Sequence, residues 1–442
     1  IAEEQDPIKQ ATLLYSRGDL FKDLQRNDEA LADFNAVIER QSITSHLKSL
    51  VHLSLGIIKS RNGELDDAVR DYTFAIDQKN LSSEQTAEAF CRRGFAYGEL
   101  GRAQEAVADY TSVIEQPEAP PALLAQALIN RGIFYHDTEN FKQAISDYSS
   151  AILIPNAHVN LVANALSLRG LSFGLIGEIQ NELNDYNALI ALPNAPIDLV
   201  AFTLRLRGLI LALEGEIQNA IEDFTLLINL PNAPLNEVSA GLIARGLAYL
   251  QEGRKEESAA DFDRVIQLSG SPLATRIDAH LARASVYLSD GYLPLGFETL
   301  EKGLILTSTE APPPLEHVVG MTNMLFEAGL NIKGRKESIS RLLEIFSKHQ
   351  ALPFLGEAVV QHMGKLFQAG APFPSTDNLE GWAAAWEQAG ETVPDFRLSL
   401  RLLRTAVNFV KAGGQDRTLL LDLAAPERAI VEQALGLSTE PG

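Results

Sequence analysis

A single cysteine, Cys91, stands in a chain of 442 residues, so neither a disulfide framework nor a thiolate metal cluster can hold the molecule together. One free thiol suits a reducing compartment, and a cytoplasmic location is expected. Positive charge is also short: 37 Lys and Arg against 58 Asp and Glu leave a formal net charge of -21. A body of that sign repels phosphate backbones, which argues against general nucleic-acid binding; the charge reads instead as solubility for a large surface. Aromatic residues are only 7% of the chain, so a buried seam must be built mainly from Leu, Ile, Val and Ala. No apolar run reaches the length of a membrane span and no signal peptide is visible, so no membrane contact is expected. The chain opens on Ile1 rather than Met, as a trimmed chain would, and a signal or further domain could have been lost from either end.

Catalytic motifs are missing as well. The eight histidines are His46, His52, His136, His158, His280, His317, His349 and His362. None stands at metal-ligand spacing with a carboxylate or thiolate helper. No Gly-rich phosphate loop precedes a Lys-Ser/Thr, and no Gly-x-Ser-x-Gly elbow occurs. Cys91 has Arg92 and Arg93 beside it, which invites a reactive-thiol reading; a lone helical cysteine is more often a small packing residue. The chain therefore reads as a non-enzyme with no cofactor and no metal.

What is present is a period. An Arg-Gly pair recurs every 38 residues: Arg17-Gly18, Arg93-Gly94, Arg131-Gly132, Arg169-Gly170, Arg207-Gly208 and Arg245-Gly246. Leu55-Gly56 and Arg283-Ala284 fill the two remaining slots in degraded form. Sixteen residues after each Arg position comes an acid followed by an aromatic, from Asp33-Phe34 and Asp71-Tyr72 through Asp261-Phe262. Copies in strict phase describe stacked units rather than one domain with a unique site.

Within a unit the spacing predicts two helices. Ala87, Phe90, Gly94 and Tyr97 share one helical face; Gly101 breaks the pattern, and Ala106, Tyr110, Val113 and Ile114 begin another. Gly94 and Ala106 let the backbones approach while Tyr97 and Tyr110 fill the space beside them. The second small site runs Ala30, Ala68, Ala106, Ala144, Glu182, Ala220, Ser258 and Gly296. Glu182 is the exception, expected to snorkel out or to widen the fifth unit. Pro196 and Pro234 suit a helix first turn. The Arg and Asp columns are expected to form ion pairs between the two helices: Arg93 with Asp109, Arg131 with Asp147, Arg169 with Asp185, Arg207 with Asp223, and Arg245 with Asp261, with Arg17 and Asp33 alike.

This pattern resembles the tetratricopeptide repeat family, whose unit carries a small residue and an aromatic on its first helix, then Ala, an aromatic and Pro on its second. The resemblance covers about residues 9 to 310 and departs in length, since the family's usual unit has 34 residues. It implies an all-α fold, a right-handed α-solenoid superhelix of stacked antiparallel helix pairs, with eight tandem repeats in 1–310. Four extra residues are about one helical turn, so a longer first helix and an altered pitch are expected. Beyond Thr307–Pro314 the phase ends, but helical patterning continues at 318–330, 336–348, 355–369, 379–389, 396–411 and 426–435. Residues 311–442 are expected to continue or cap the solenoid.

The family's first helices line a concave wall. Carried onto this sequence, that wall starts charged, with Asp19, Lys22 and Asp23, and passes Glu88, Cys91, Phe95 and Gln126. It turns apolar at Leu171, Leu175, Arg205, Leu209, Leu213, Ile243 and Leu247. Two readings of that apolar stretch stand open: a groove for a partner's helix or extended peptide, or residues packed internally. The sixth first helix is apolar almost all round, which favours deep burial. Chaperone-type members grip an acidic tail with Lys and Asn; here Lys22 stands alone and Arg205 faces Leu neighbours, so such tails are not expected. The resemblance implies a scaffold for a protein or peptide partner, with self-association possible. The alternative is the sensor or regulatory arm of a larger signalling enzyme, an NTPase or protease, whose catalytic part is not in this chain.

Overall fold

A computed structural model describes residues 7–40, 43–290, 292–307, 397–411, 416–435 and 437. Sixteen consecutive helices pair as α1 (Pro7–Asp23) with α2 (Asn27–Ile38), α3 (Ser45–Arg61) with α4 (Leu65–Asp77), and α5 (Ser83–Glu99) with α6 (Ala103–Ile114). Next come α7 (Pro121–Asp137) with α8 (Phe141–Ile152), α9 (Val159–Leu175) with α10 (Ile179–Ile190), and α11 (Ile197–Leu213) with α12 (Ile217–Asn229). The last two pairs are α13 (Leu235–Gln251) with α14 (Lys255–Gln267) and α15 (Leu273–Ser289) with α16 (Leu293–Thr307). Each helix starts 38 residues after its counterpart, so the sequence period is also the structural one. First helices have 17 residues and second helices 12 to 15.

The chain divides into two compact units, Ile1–Leu204 and Arg205–Gly442, with the division inside α11. In the first unit, α1, α3, α5, α7 and α9 form a row in which each touches the next, and α2, α4, α6 and α8 each pack against the first helices on both sides. The second unit repeats this for α13 and α15. It also holds α17 (Arg397–Lys411), which touches a 3-10 turn over Arg417–Leu420 and α18 (Ala425–Ala434); Leu402, Leu403, Val407 and Phe409 of α17 are buried. These match the sequence segments 396–411 and 426–435 closely. The four segments from 318 to 389 lie outside the described residues, as do His317, His349 and His362.

The turn inside a pair is short because one residue takes a left-handed conformation. Gly101 has φ +73°, and Arg102 N–H then donates to Tyr97 O at 2.8 Å, closing the helix and starting the next. Gly63, Gly177, Gly215 and Gly253 do the same, while Gln25 and Glu139 adopt that conformation without being glycine. Between pairs, Asn156, Asn194 and Asn232 take it instead. Pro196 and Pro234 prove to lie one residue before their helices. Their carbonyls accept from Val200 and Val238 at 3.0 Å, a role that needs no N–H from proline.

The Gly and aromatic columns meet. Phe34, Tyr72, Tyr110, Tyr148, Tyr186, Phe224 and Phe262 are almost wholly buried, each with its ring against the glycine sixteen residues earlier. A Cβ on Gly132 would lie 2.6 Å from the Tyr148 ring, and one on Gly94 3.0 Å from Tyr110. The glycine is thus chiefly a seat for the ring, more than a point of backbone contact. In the eighth pair Ala284 and Leu300 take these two places, both buried: a smaller partner tolerates a methyl.

Glu182 neither snorkels nor lies at the surface. It is buried, its Oε1 accepts from Tyr186 Oη at 3.0 Å, and its carboxylate occupies space that a side chain on Gly174 would fill. Burial holds its carboxyl above the usual range, with the Tyr186 hydrogen bond opposing. The compensating glycine stands eight residues away, on the other helix of the pair.

Candidate interaction surface

The Arg column binds in two directions. Arg93 Nε and Nη2 donate to Asp109 at 2.8 and 2.7 Å, and Arg131 reaches Asp147 twice at 2.8 Å. Arg169–Asp185, Arg207–Asp223 and Arg245–Asp261 have the same forked geometry at 2.5–2.8 Å, as does Arg17–Asp33. The remaining donor, Nη1, crosses to the preceding second helix. Arg93 reaches Thr73 Oγ1 at 3.0 Å, Arg131 Thr111 at 3.0 Å, Arg169 Ser149 at 2.9 Å and Arg245 Thr225 at 2.9 Å. One guanidinium therefore ties its own pair together and joins it to the preceding one. The hydrogen bonds to Asp147 and Asp261 hold Arg131 and Arg245 above their ordinary range. These side chains are occupied by the frame.

The two degraded slots are rebuilt. Where Leu55 replaces Arg, His52 Nδ1 and Lys59 Nζ both donate to Asp71 at 2.7 Å, from one turn on either side. Where Thr299 replaces the acid, Arg283 keeps the outward bond, to Asp263 at 3.1 Å, donates through Nη2 to the Tyr287 hydroxyl at 2.7 Å, and lies 3.8 Å over the Tyr287 ring. The sequence signal for the first case was a base at i+4 from Leu55.

The frame leaves the thirteenth residue open in three of the first helices. In the first unit this column reads Asp19, Ile57, Phe95, Ile133 and Leu171; in the second it reads Leu209, Leu247 and Ser285. Phe95 is 51% exposed, Leu247 46% and Leu209 39%. Beside Ile57 and Phe95, between α3, α5 and α7, lies an open cavity of about 560 Å³. Its floor is Tyr72, Cys91 and Leu123, and its rim is Arg61, Glu88, Arg92, Gln126 and Asn130. Arg92 pairs with Glu88 at 2.7 Å and Gln126 donates to Asn130 at 2.7 Å, so the rim is polar but internally satisfied. The Cys91 thiol is buried, which pushes its pKa up to about 12 and makes it a packing group rather than a nucleophile.

Of the residues expected on the apolar wall, Leu171 and Leu175 lie in the first unit, and Arg205, Leu209, Leu213, Ile243 and Leu247 in the second. Leu175 and Leu213, four residues beyond the thirteenth place, are exposed, and Leu171 and Ile243 are half-buried. Deep burial of α11 all round does not occur: Leu204 is buried but Leu213 is 86% exposed. Arg205 does not simply face leucines either. Its Nε donates to the buried Glu237 at 2.7 Å, joining α11 to α13. That acid lies 32 residues away, off the period, and so was invisible to a column reading. Among the described residues no group of three His, Cys, Asp or Glu could hold a metal ion, and no helix is long and apolar enough to cross a membrane.

Comparison with known proteins agrees with this repeat architecture. The tetratricopeptide repeat family matches at residues 11–43, 87–119 and 241–272. No curated protein matches the chain. Similar solved structures include a tetratricopeptide repeat protein from Parabacteroides merdae (20% identity, 62% of this chain and 99% of that one, TM-score 0.42). Others are the C-terminal part of a TPR repeat-containing protein from Cytophaga hutchinsonii (13%, 60% and 98%, TM-score 0.47) and the apo form of the quorum sensor NprR from B. thuringiensis (15%, 77% and 99%, TM-score 0.45).

Proposed function

We propose that this chain, an array built from tetratricopeptide repeats, is a non-catalytic scaffold that binds a protein or peptide partner along its row of first helices. One observation carries the reading: the thirteenth-residue column is apolar over the six pairs from Ile57 to Leu247, yet Phe95, Leu209 and Leu247 stay exposed. An apolar side chain left open at a repeated place gains free energy only when something covers it, about 25 cal/mol per Å² removed from water. The residues assigned to contact are Leu171, Leu175, Leu209, Leu213, Ile243 and Leu247, with Arg205 placing a charge beside them. Within each unit the frame ties neighbouring pairs together, which lowers the ordering cost on the scaffold when a peptide docks. The cavity beside Phe95 suits one larger apolar side chain of a ligand docked on the first unit.

The test selects peptides on the 442-residue chain from a displayed library, then measures the best one by calorimetry against Leu209→Asp and Leu247→Asp. Both side chains are exposed, so helicity and melting should hold while affinity falls by about tenfold or more, roughly 1.4 kcal/mol. Unchanged affinity in both variants would refute the reading.

A further inference from the structure

The outward face of α1 differs from that of the other first helices in its unit. Leu13, the seventh residue of α1, is 63% exposed, whereas the seventh residues of the next four, Val51, Ala89, Ala127 and Ala165, are fully buried. Leu20, the fourteenth, is 64% exposed, whereas Ile58, Ala96 and Ser172 at that place are fully buried. The side chain of Arg17 is 60% exposed, against 14–21% for Arg93, Arg131 and Arg169. Those three spend Nη1 on a hydroxyl of the neighbouring helix; among the described residues Arg17 hydrogen-bonds only to Asp33. Leu13, Ser16, Arg17 and Leu20 stand at i, i+3, i+4 and i+7, so they form one stripe.

We propose that this stripe is a self-association surface, on which two copies of the chain pack α1 against α1 around a two-fold axis. An antiparallel register centred between Ser16 and Arg17 sets Leu13 against the partner's Leu20. The same register sets the Ser16 hydroxyl against the partner's Arg17, supplying the acceptor that Thr73, Thr111 and Ser149 supply inside the array. The stripe is thus complementary to itself, as a two-fold interface requires. Asp33 neutralises each Arg17, so bringing the two guanidinium groups near one another adds little repulsion. One more regular helix pair fits this face less well. Later first helices carry Val, Ala, Thr or Gly where α1 carries Leu13, and that close spacing has no room for the larger side chain. The stripe is narrow, so the dimer is reversible, and because each copy carries a net charge of -21 it strengthens with salt.

Sedimentation equilibrium of the 442-residue chain from about 1 to 100 µM, at low and moderate salt, tests this. The expected result is a monomer–dimer equilibrium that salt favours. Leu13→Asp and Leu20→Asp should each weaken it about tenfold or more without changing the helical spectrum or melting, since both side chains are exposed. A second measurement fixes the register. Leu13→Cys mixed with Leu20→Cys should form a disulfide on mild oxidation. Leu13→Cys alone should not, because its two copies are offset by seven residues, roughly 10 Å along the helices. A monomer at all concentrations, a dimer that both Asp variants leave intact, a growing ladder of oligomers, or equally fast cross-linking of the single variant would each overturn the proposal.

Discussion

Asp147→Ala separates the repeat frame from an ordinary surface ion pair. The carboxylate takes both Arg131 donors at 2.8 Å, and the two side chains are only 8% and 17% exposed. Removing the acid leaves a guanidinium held between two helices, with Thr111 as its remaining hydrogen-bond acceptor. Breaking such a pair from one side costs about 3–5 kcal/mol when it is buried; the residual opening of Arg131 to water places this one near 3 kcal/mol. Asp33→Ala removes the same geometry in the first pair, but there Arg17 is 60% exposed and can re-solvate. Its cost should be clearly smaller than that of Asp147→Ala. Urea unfolding followed by helical circular dichroism gives the totals. Hydrogen exchange at α7 and α8 then locates the loss, with opening about a hundredfold more frequent in Asp147→Ala. Replacing both partners, Arg131→Met with Asp147→Leu, should recover most of the stability, since the penalty comes from the stranded charge and not from the pair's net worth. Equal costs for Asp147→Ala and Asp33→Ala, or a double variant no better than the single, would contradict the account.

Two further outcomes test the packing. Gly132→Ala should cost about 2–3 kcal/mol, because a Cβ would lie 2.6 Å from the buried Tyr148 ring. Gly101→Ala, at φ +73° with open space around it, should cost about 1 kcal/mol from backbone strain alone; urea midpoints of the two compare them. For Glu182 the folded carboxyl is raised by burial, so its contribution is fully present below the unfolded carboxyl value and is lost as pH rises through the folded one. Glu182→Gln keeps an acceptor for Tyr186 and should melt higher than the parent at pH 7, with the gap closing as pH falls toward about 4. A gap constant with pH would mean that the charge is not what costs stability.

The 38-residue period alone determined the all-helical pairing, because helix starts, turn residues and both side-chain columns recur at one spacing and each unit must bury the same face. Even the ion-pair partners were legible, since a fixed offset of sixteen residues joins two helices of one pair. Tertiary structure decided what depends on neighbours off that offset. Nothing in the column marks Gly174 as the space for Glu182, His52 and Lys59 as the substitutes for Arg at Asp71, or Glu237 as the partner of Arg205. Nor does the pattern show that Arg93, Arg131, Arg169 and Arg245 also reach the preceding helix, a bond made across twenty residues between pairs. Exposure was the least legible of all. Leu13 and Val51 hold the same place in the repeat, and only the helices packed around them make one an open face and the other a core residue.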